Sequence, residues 1–242
     1  MTSPSDSPPD TEDSSPLFGY GSLILPTSLV SRFENVSPTL DDVYNGATSR
    51  NIRADALKKW EEREERIRYL PAKIRRFRRY YSLESKRGGT MLEAVRTDDR
   101  DDWINGVVVF GLTSEERRQI ARTEEGYDCS VVRTPELSYY VDPERIEPYD
   151  ADAVTAIELF ASRRRPDPEM VVRPRNDVYH NRIIMGIMMI GEMYGSDVAT
   201  EFYNDFCETT YEIAYDDAGS FNTVKENDRL KGETGDGSDR NR

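Results

Sequence analysis

The chain has 242 residues, with 33 Lys+Arg against 46 Asp+Glu, a net charge of −13, one histidine and two cysteines. No apolar run approaches the roughly 20 residues of a membrane span, and the acidic opening residues carry no apolar signal core, so a soluble cytoplasmic protein is expected. His180, Cys129 and Cys207 do not supply the about four ligands of a structural zinc site, which leaves both thiols as expected core residues.

Residues 1–15 are mostly Pro, Ser, Thr, Asp and Glu, too poor in apolar surface to offset the cost of ordering, and read as a disordered acidic tail. Residues 216–242 read as a second, polar tail, and 16–215 as a single domain. Residues 17–19 form a candidate strand that breaks on Gly19-Tyr20-Gly21-Ser22. Pro26 suits the first turn of a helix, whose apolar face is Leu29, Val30 and Phe33. After a loop at 34–51, residues 52–70 have helical spacing, with Ile52, Ala56, Trp60 and Ile67 near one side and alternating Glu and Arg on the other. Pro71 is expected to stop this helix. Residues 72–83 then alternate Ile74, Phe77 and Tyr81 with arginines, as a half-buried strand does.

Residues 89–95 and 104–112 read as two further strands, the second nearly all apolar and therefore central. Thr113 and Glu116 form a capping box that opens a helix running to about Glu124, with Gly126 placed to end it. Three more strand-like stretches lie at 127–134, 136–141 and 153–161, followed by an Arg/Pro-rich linker at 163–174. Two helices, 177–194 and 197–211, are separated by Gly195-Ser196. The Met-rich stretch in the first of them has the spacing of a core-facing helix. No internal repeat is present.

The order strand, Gly-rich turn, helix, apolar strand and capped helix ending in Glu resembles the gamma-glutamylcyclotransferase superfamily, including its ChaC-like and AIG2-like branches. Phe18-Gly19-Tyr20-Gly21-Ser22-Leu23 matches the family's (F/V)-x-Y-G-S-(L/N) loop. Gly106-Val107-Val108-Val109-Phe110 matches the strand before its catalytic helix, and Ile120-x-x-x-Glu124 with Tyr127 matches its Leu-x-x-x-Glu…Tyr signature. The stretch from Pro71 through Arg79 and the two C-terminal helices are also similar to family elements. Departures are the longer, more charged 35–70 connection, Ile120-Ala121 in place of Leu-Asp, and a tandem Glu124-Glu125 that leaves Glu125-Gly126 as an alternative match.

The resemblance implies an α+β fold: a small mixed or antiparallel barrel-like sheet of five to seven strands, surrounding helices and a C-terminal helical pair. It implies an intramolecular reaction in which the alpha-amine of a gamma-glutamyl group attacks its own gamma-carbonyl. The products are 5-oxoproline and a released amine or amino acid. The catalytic acid/base would be Glu124 (alternatively Glu125), and Tyr20, Gly21, Ser22, Leu23 and Tyr127 would hold the substrate, with no metal and no cofactor. The residue chemistry agrees with such a reaction. Effective molarities for well-oriented intramolecular attack reach about 10⁵–10⁸ M, so one carboxylate moving a proton is sufficient machinery. Glycines admit close backbone approach, and successive N–H groups in a turn form an anion-binding concavity.

The expected partner is a small gamma-glutamyl compound, with neither nucleic acid nor membrane, and the oligomeric state is left open. Two other functions fit parts of the sequence. A catalytically inactive family member would bind a gamma-glutamyl-like ligand. An RNA-binding module would use residues 58–81, where ten basic and four acidic residues lie between Lys58 and Arg79 beside aromatics. The acidic, lysine-poor composition, with 6 lysines and 27 arginines, resembles that of halophilic archaeal proteins.

Overall fold

The short apolar run Leu17–Gly19 forms strand β1, followed by a 3-10 turn at Ser22–Ile24 and helix α1 at Pro26–Val30. Helix α2 (Ala54–Glu61) precedes strands β2 (Arg68–Arg75), β3 (Phe77–Glu84), β4 (Thr90–Arg96) and β5 (Trp103–Phe110). Next come helix α3 (Ser114–Thr123) and strands β6 (Asp128–Arg133), β7 (Leu137–Tyr139) and β8 (Ala156–Ala161). Helices α4 (Asp177–Tyr194) and α5 (Ser196–Thr209) and strands β9 (Thr210–Tyr215) and β10 (Phe221–Lys225) follow. The computed structural model describes residues 15–40, 49–86, 88–124, 127–143, 154–162, 175–215 and 221–225. The predicted 163–174 linker, Glu125, Gly126 and most of both predicted tails lie outside these residues.

The class is mixed α+β, as expected, with a curled half-barrel sheet and five α-helices among the described residues. The strands form two sheets, ordered β6-β8-β1-β5-β2-β7 and β10-β9-β3-β4. The first, of six strands, matches the expected sheet; the second adds four more, and its β10, in the stretch read as a polar tail, pairs antiparallel with β9. The sheets meet where Ser162 N–H donates to the Ala94 carbonyl at 2.8 Å. β5 lies at the centre, with Ile104, Val107 and Val108 fully buried. A near-continuous apolar run suits a strand covered on both faces, and each such side chain contributes about 1.5–3 kcal/mol on burial.

Residues 52–70 do not form one helix. α2 stops at Glu61, because Arg63 and Arg66 turn away to pair with Glu34 and Glu116, and the chain re-enters the sheet at Arg68. All eight residues of β2 then pair with β5, so sheet pairing overrides the helical spacing of the charges. Pro71 sits inside β2 rather than ending a helix. Its carbonyl accepts from Tyr140 N at 3.0 Å, so the missing N–H faces the side of the three-residue β7 and takes no bond from β5. The single strand expected at 72–83 is broken at Arg76, whose φ of 66° turns the chain from one sheet to the other. The second C-terminal helix ends at Thr209, and Thr210 begins a strand parallel to β3. Cys207 is buried as expected, whereas Cys129 is exposed.

Arg79, read from its spacing as part of an arginine-rich strand face, is fully buried. Its guanidinium donates to the Asn105 carbonyl (2.8 Å) and Oδ1 (2.9 Å), to Thr209 and Thr210 hydroxyls, and to the Tyr20 and Phe206 carbonyls. It also lies 4.1 Å over the Phe206 ring. A buried charge is tolerated only when its donors are satisfied, and here β5, α5, β9 and the residue after β1 share that task. Two neighbouring arginines pair with acids: Arg78 with Asp102 at 2.7 Å and Arg76 with Glu136 at 3.2 Å.

α4 packs directly on the turn after β1. A Cβ on Gly186 would lie 2.7 Å from backbone atoms of both Ile24 and Leu25, so only glycine lets the helix axis come this close. The Met-rich stretch is core-facing, as its spacing indicates, with Met185 and Met189 buried.

Candidate functional site

β1 hands the chain to the 20–23 turn at the mouth of a cavity of about 820 Å³. The turn is fixed from several sides. The Gly21 carbonyl accepts from Ile24 N (3.0 Å) and the Ser22 carbonyl from Leu25 N (3.2 Å). The Tyr20 carbonyl accepts from Arg79 and the Leu23 carbonyl from Tyr69 Oη. The Tyr20 ring is buried, and burial holds its hydroxyl well above the ordinary phenol value.

The opposite wall is built by α3. The predicted capping box is complete: Thr113 Oγ1 accepts Glu116 N–H while the Glu116 carboxylate accepts Thr113 N–H. Such a cap is worth about 1 kcal/mol, and Arg66 holds the same carboxylate at 2.6 Å. Ile120, fully buried, anchors the last turn. Glu124 is the C-cap, four residues after Ile120 and therefore on the same helix face, which carries its carboxyl inward. Its carbonyl accepts from Tyr127 N at 3.1 Å, folding Tyr127 back to line the cavity too.

Burial lifts the Glu124 carboxyl above the ordinary value of 4.5, and the Arg32 guanidinium only partly opposes this. Arg32 follows α1 and reaches across the cavity mouth. Its Nη2 lies 3.1 Å from Glu124 Oε1 and donates to Ser22 Oγ at 3.3 Å. One cation thus ties the Gly-rich turn to the glutamate.

Tyr179, in the first turn of α4, completes the arrangement. Its hydroxyl lies against Gly21, at the position a Cβ there would take. Burial, with the Glu124 charge next, raises this phenol to about 12, so it keeps its proton. Tyr127 Oη donates to the Leu92 carbonyl at 3.3 Å, and burial raises its pKa as well.

The structure therefore brings Tyr20, Gly21, Ser22, Leu23, Glu124 and Tyr127 to one cavity. Glu125, the alternative to Glu124, lies outside the described residues. Sequence reasoning missed Arg32 and Tyr179. Nothing in the sequence around position 32 marks an arginine that meets residue 124, and Tyr179 was visible only as an apolar residue of α4. His180 is buried, with Nδ1 2.6 Å from Tyr81 Oη. Among the described residues no three His, Cys, Asp or Glu side chains cluster as a metal site, and no helix is long and apolar enough to cross a membrane.

No family model matches the chain, and no curated protein matches it by sequence. Among solved structures it is similar to a yeast gamma-glutamyl cyclotransferase specific to glutathione. The identity is 13%, the TM-score 0.39, and the match covers 80% of this chain and 97% of that one.

Proposed function

We propose that the cavity is the active site of a gamma-glutamylcyclotransferase-like enzyme that converts a gamma-glutamyl group to 5-oxoproline and releases an amine or amino acid. The observation that carries this is the half-buried Glu124 carboxylate, joined through Arg32 to the Ser22 hydroxyl of the Gly-rich turn. Such a site holds a proton acceptor and a close-approach backbone around one space, which is what cyclisation of a single bound molecule asks for. The resemblance of the turn and of the Glu124…Tyr127 stretch to that superfamily supports the same reading.

In this mechanism Glu124 takes a proton from the substrate's alpha-ammonium. The freed amine attacks the gamma-carbon, forming the ring C–N bond and placing negative charge on the carbonyl oxygen. The Tyr179 hydroxyl, which keeps its proton, stabilises that oxyanion together with the 20–23 turn. The ring nitrogen gives up its second proton as the bond to the leaving nitrogen breaks, and Glu124 relays both protons to that nitrogen, so the products are the neutral lactam and an ammonium. No water is consumed and no electrons change hands, so the reaction asks for neither metal nor organic cofactor. Leu23 and Tyr127 shape the wall, and the substrate is a small molecule rather than a nucleic acid.

Release of 5-oxoproline from a panel of gamma-glutamyl amino acids, peptides and amines tests the proposal. Wild type is expected to release it and Glu124→Gln to lose about 10²–10⁴-fold in kcat. Absence of 5-oxoproline across the panel, with the panel members bound, would point to a binding protein instead. The acidic, arginine-dominated composition supports a high-salt cytoplasm, which melting in about 0.1 M and about 1 M KCl would test.

A further inference from the structure

The Arg32–Glu124 pair is not built as a structural salt bridge. Guanidinium and carboxylate fit best through two parallel hydrogen bonds, yet no such bonds join Arg32 to Glu124: Nη2 lies 3.1 Å from Glu124 Oε1 and donates to Ser22 Oγ instead. Among the described residues, Arg32 Nε and Nη1 and Glu124 Oε2 make no hydrogen bond, and both side chains line the cavity. The pair presents, side by side, an unfilled set of cationic donors and an unfilled anionic acceptor.

A ligand with one charge would leave half of this pair desolvated and unmatched, which costs more than leaving the pair closed. A ligand bearing an ammonium and a carboxylate on one carbon replaces both halves together. Resting on the cyclotransferase reading, we propose that Arg32 is a specificity-determining residue that exchanges Glu124 for the substrate's alpha-carboxylate, releasing Glu124 to accept the alpha-ammonium. The closed pair is thereby a resting state that opens for a free alpha-amino-acid head. It assigns the alpha-carboxylate to Arg32 and leaves the 20–23 turn and Tyr179 to the gamma-carbonyl. It also accounts for the lack of a two-bond pairing, since a bidentate pair would resist exchange. Because Glu124 is freed only when the carboxylate is held, the proton acceptor is released beside the ammonium it must deprotonate.

The test reads binding rather than turnover, by calorimetry on the full chain, with three probes: L-glutamine, its alpha-amide lacking the carboxylate, and N-acetyl-L-glutamine lacking the ammonium. Wild type is expected to prefer L-glutamine over each derivative by about tenfold or more. In Arg32→Gln the preference over the alpha-amide falls to within about twofold while that over the N-acetyl compound persists, and Arg32→Lys lies between. Arg182, the other described arginine of the cavity wall, is the control. If Arg182→Gln and not Arg32→Gln abolishes the carboxylate preference, the proposal is overturned. Equal binding of the three probes by wild type, or no binding of L-glutamine, overturns it without any variant, should Arg32→Gln fail to fold. The two readings fail separately. The expected discrimination without 5-oxoproline formation refutes the cyclotransferase reading alone. 5-oxoproline formation indifferent to the alpha-carboxylate refutes the exchange alone.

Discussion

A Cβ built on Gly21 would lie 2.3 Å from Tyr179 Oη, so the phenol occupies the space that any other residue at position 21 would need. The Gly-rich turn is therefore a seat for a tyrosine from the first turn of α4.

Gly21→Ala is expected to push Tyr179 off the turn, lowering kcat/KM about 10–100-fold, since a misplacement of about 1 Å in a positioned group has effects of this size. The double variant Gly21→Ala/Tyr179→Phe removes the clash and should regain thermal stability without regaining activity. Steady-state kinetics and melting curves on both variants check this. Wild-type activity in Gly21→Ala would refute the role given to Tyr179.

Glu124→Gln should make the protein more stable at neutral and alkaline pH while removing activity. Burial raises the folded-state pKa of Glu124 above 4.5, so between the unfolded and folded values the folded chain holds more protons. The contribution of this group to stability is then fully present below about 4.5 and lost as pH rises through the folded value. Glutamine cannot ionise and escapes that loss. Melting midpoints of the variant and wild type are expected to coincide near pH 4 and to separate in favour of the variant by pH 8. A less stable variant at pH 8 would mean that attraction to Arg32 outweighs burial.

Arg79→Met leaves the buried carbonyls of Tyr20, Asn105 and Phe206 short of a donor. The expected loss is about 3 kcal/mol, or roughly 6–12 °C in melting midpoint. Arg79→Lys keeps the charge but not the planar fork that reaches these partners, so it should rescue less than half of the loss. Denaturant titration measures both variants.

Gly186→Ala should destabilise by about 1–3 kcal/mol, because the added methyl meets backbone rather than a movable side chain. The same shift moves α4, and with it Tyr179, away from the turn, so kcat should fall even at temperatures where the variant is fully folded. A stable variant with unchanged kcat would show that α4 can relax without disturbing the site.

The site was legible where chemistry left a local trace. Two glycines around Tyr20, and a capping box that fixes the start of α3 and hence the position of Glu124, can both be read from adjacent residues. Arg32 could not be, since its role depends on where α1 ends relative to α3, and that is set by packing. The charged stretch 58–79 misled for a related reason. Its Glu/Arg spacing suits a helix, but the arginines are shared among Glu34, Glu116, Asp102 and a buried carbonyl cluster, partners distant in sequence. Pro71 looked like a stop because the short neighbour that excuses its missing N–H is seventy residues away. Strand β5 was visible because burial on both faces makes a run with no polar alternation.

Arg79 has a consequence for how the molecule is made. Its bonds to Thr209 and Thr210 span 130 and 131 residues, and the same guanidinium holds the Tyr20 carbonyl. At synthesis rates of about 5–20 residues per second, residue 20 leaves the ribosome roughly 10–40 s before residue 210. Until then the arginine has no α5 to enter, and the turn beside β1 lacks one of its anchors. The first strand to emerge thus carries the part of the protein that is finished last, and the nascent chain passes most of its synthesis with an unformed pocket.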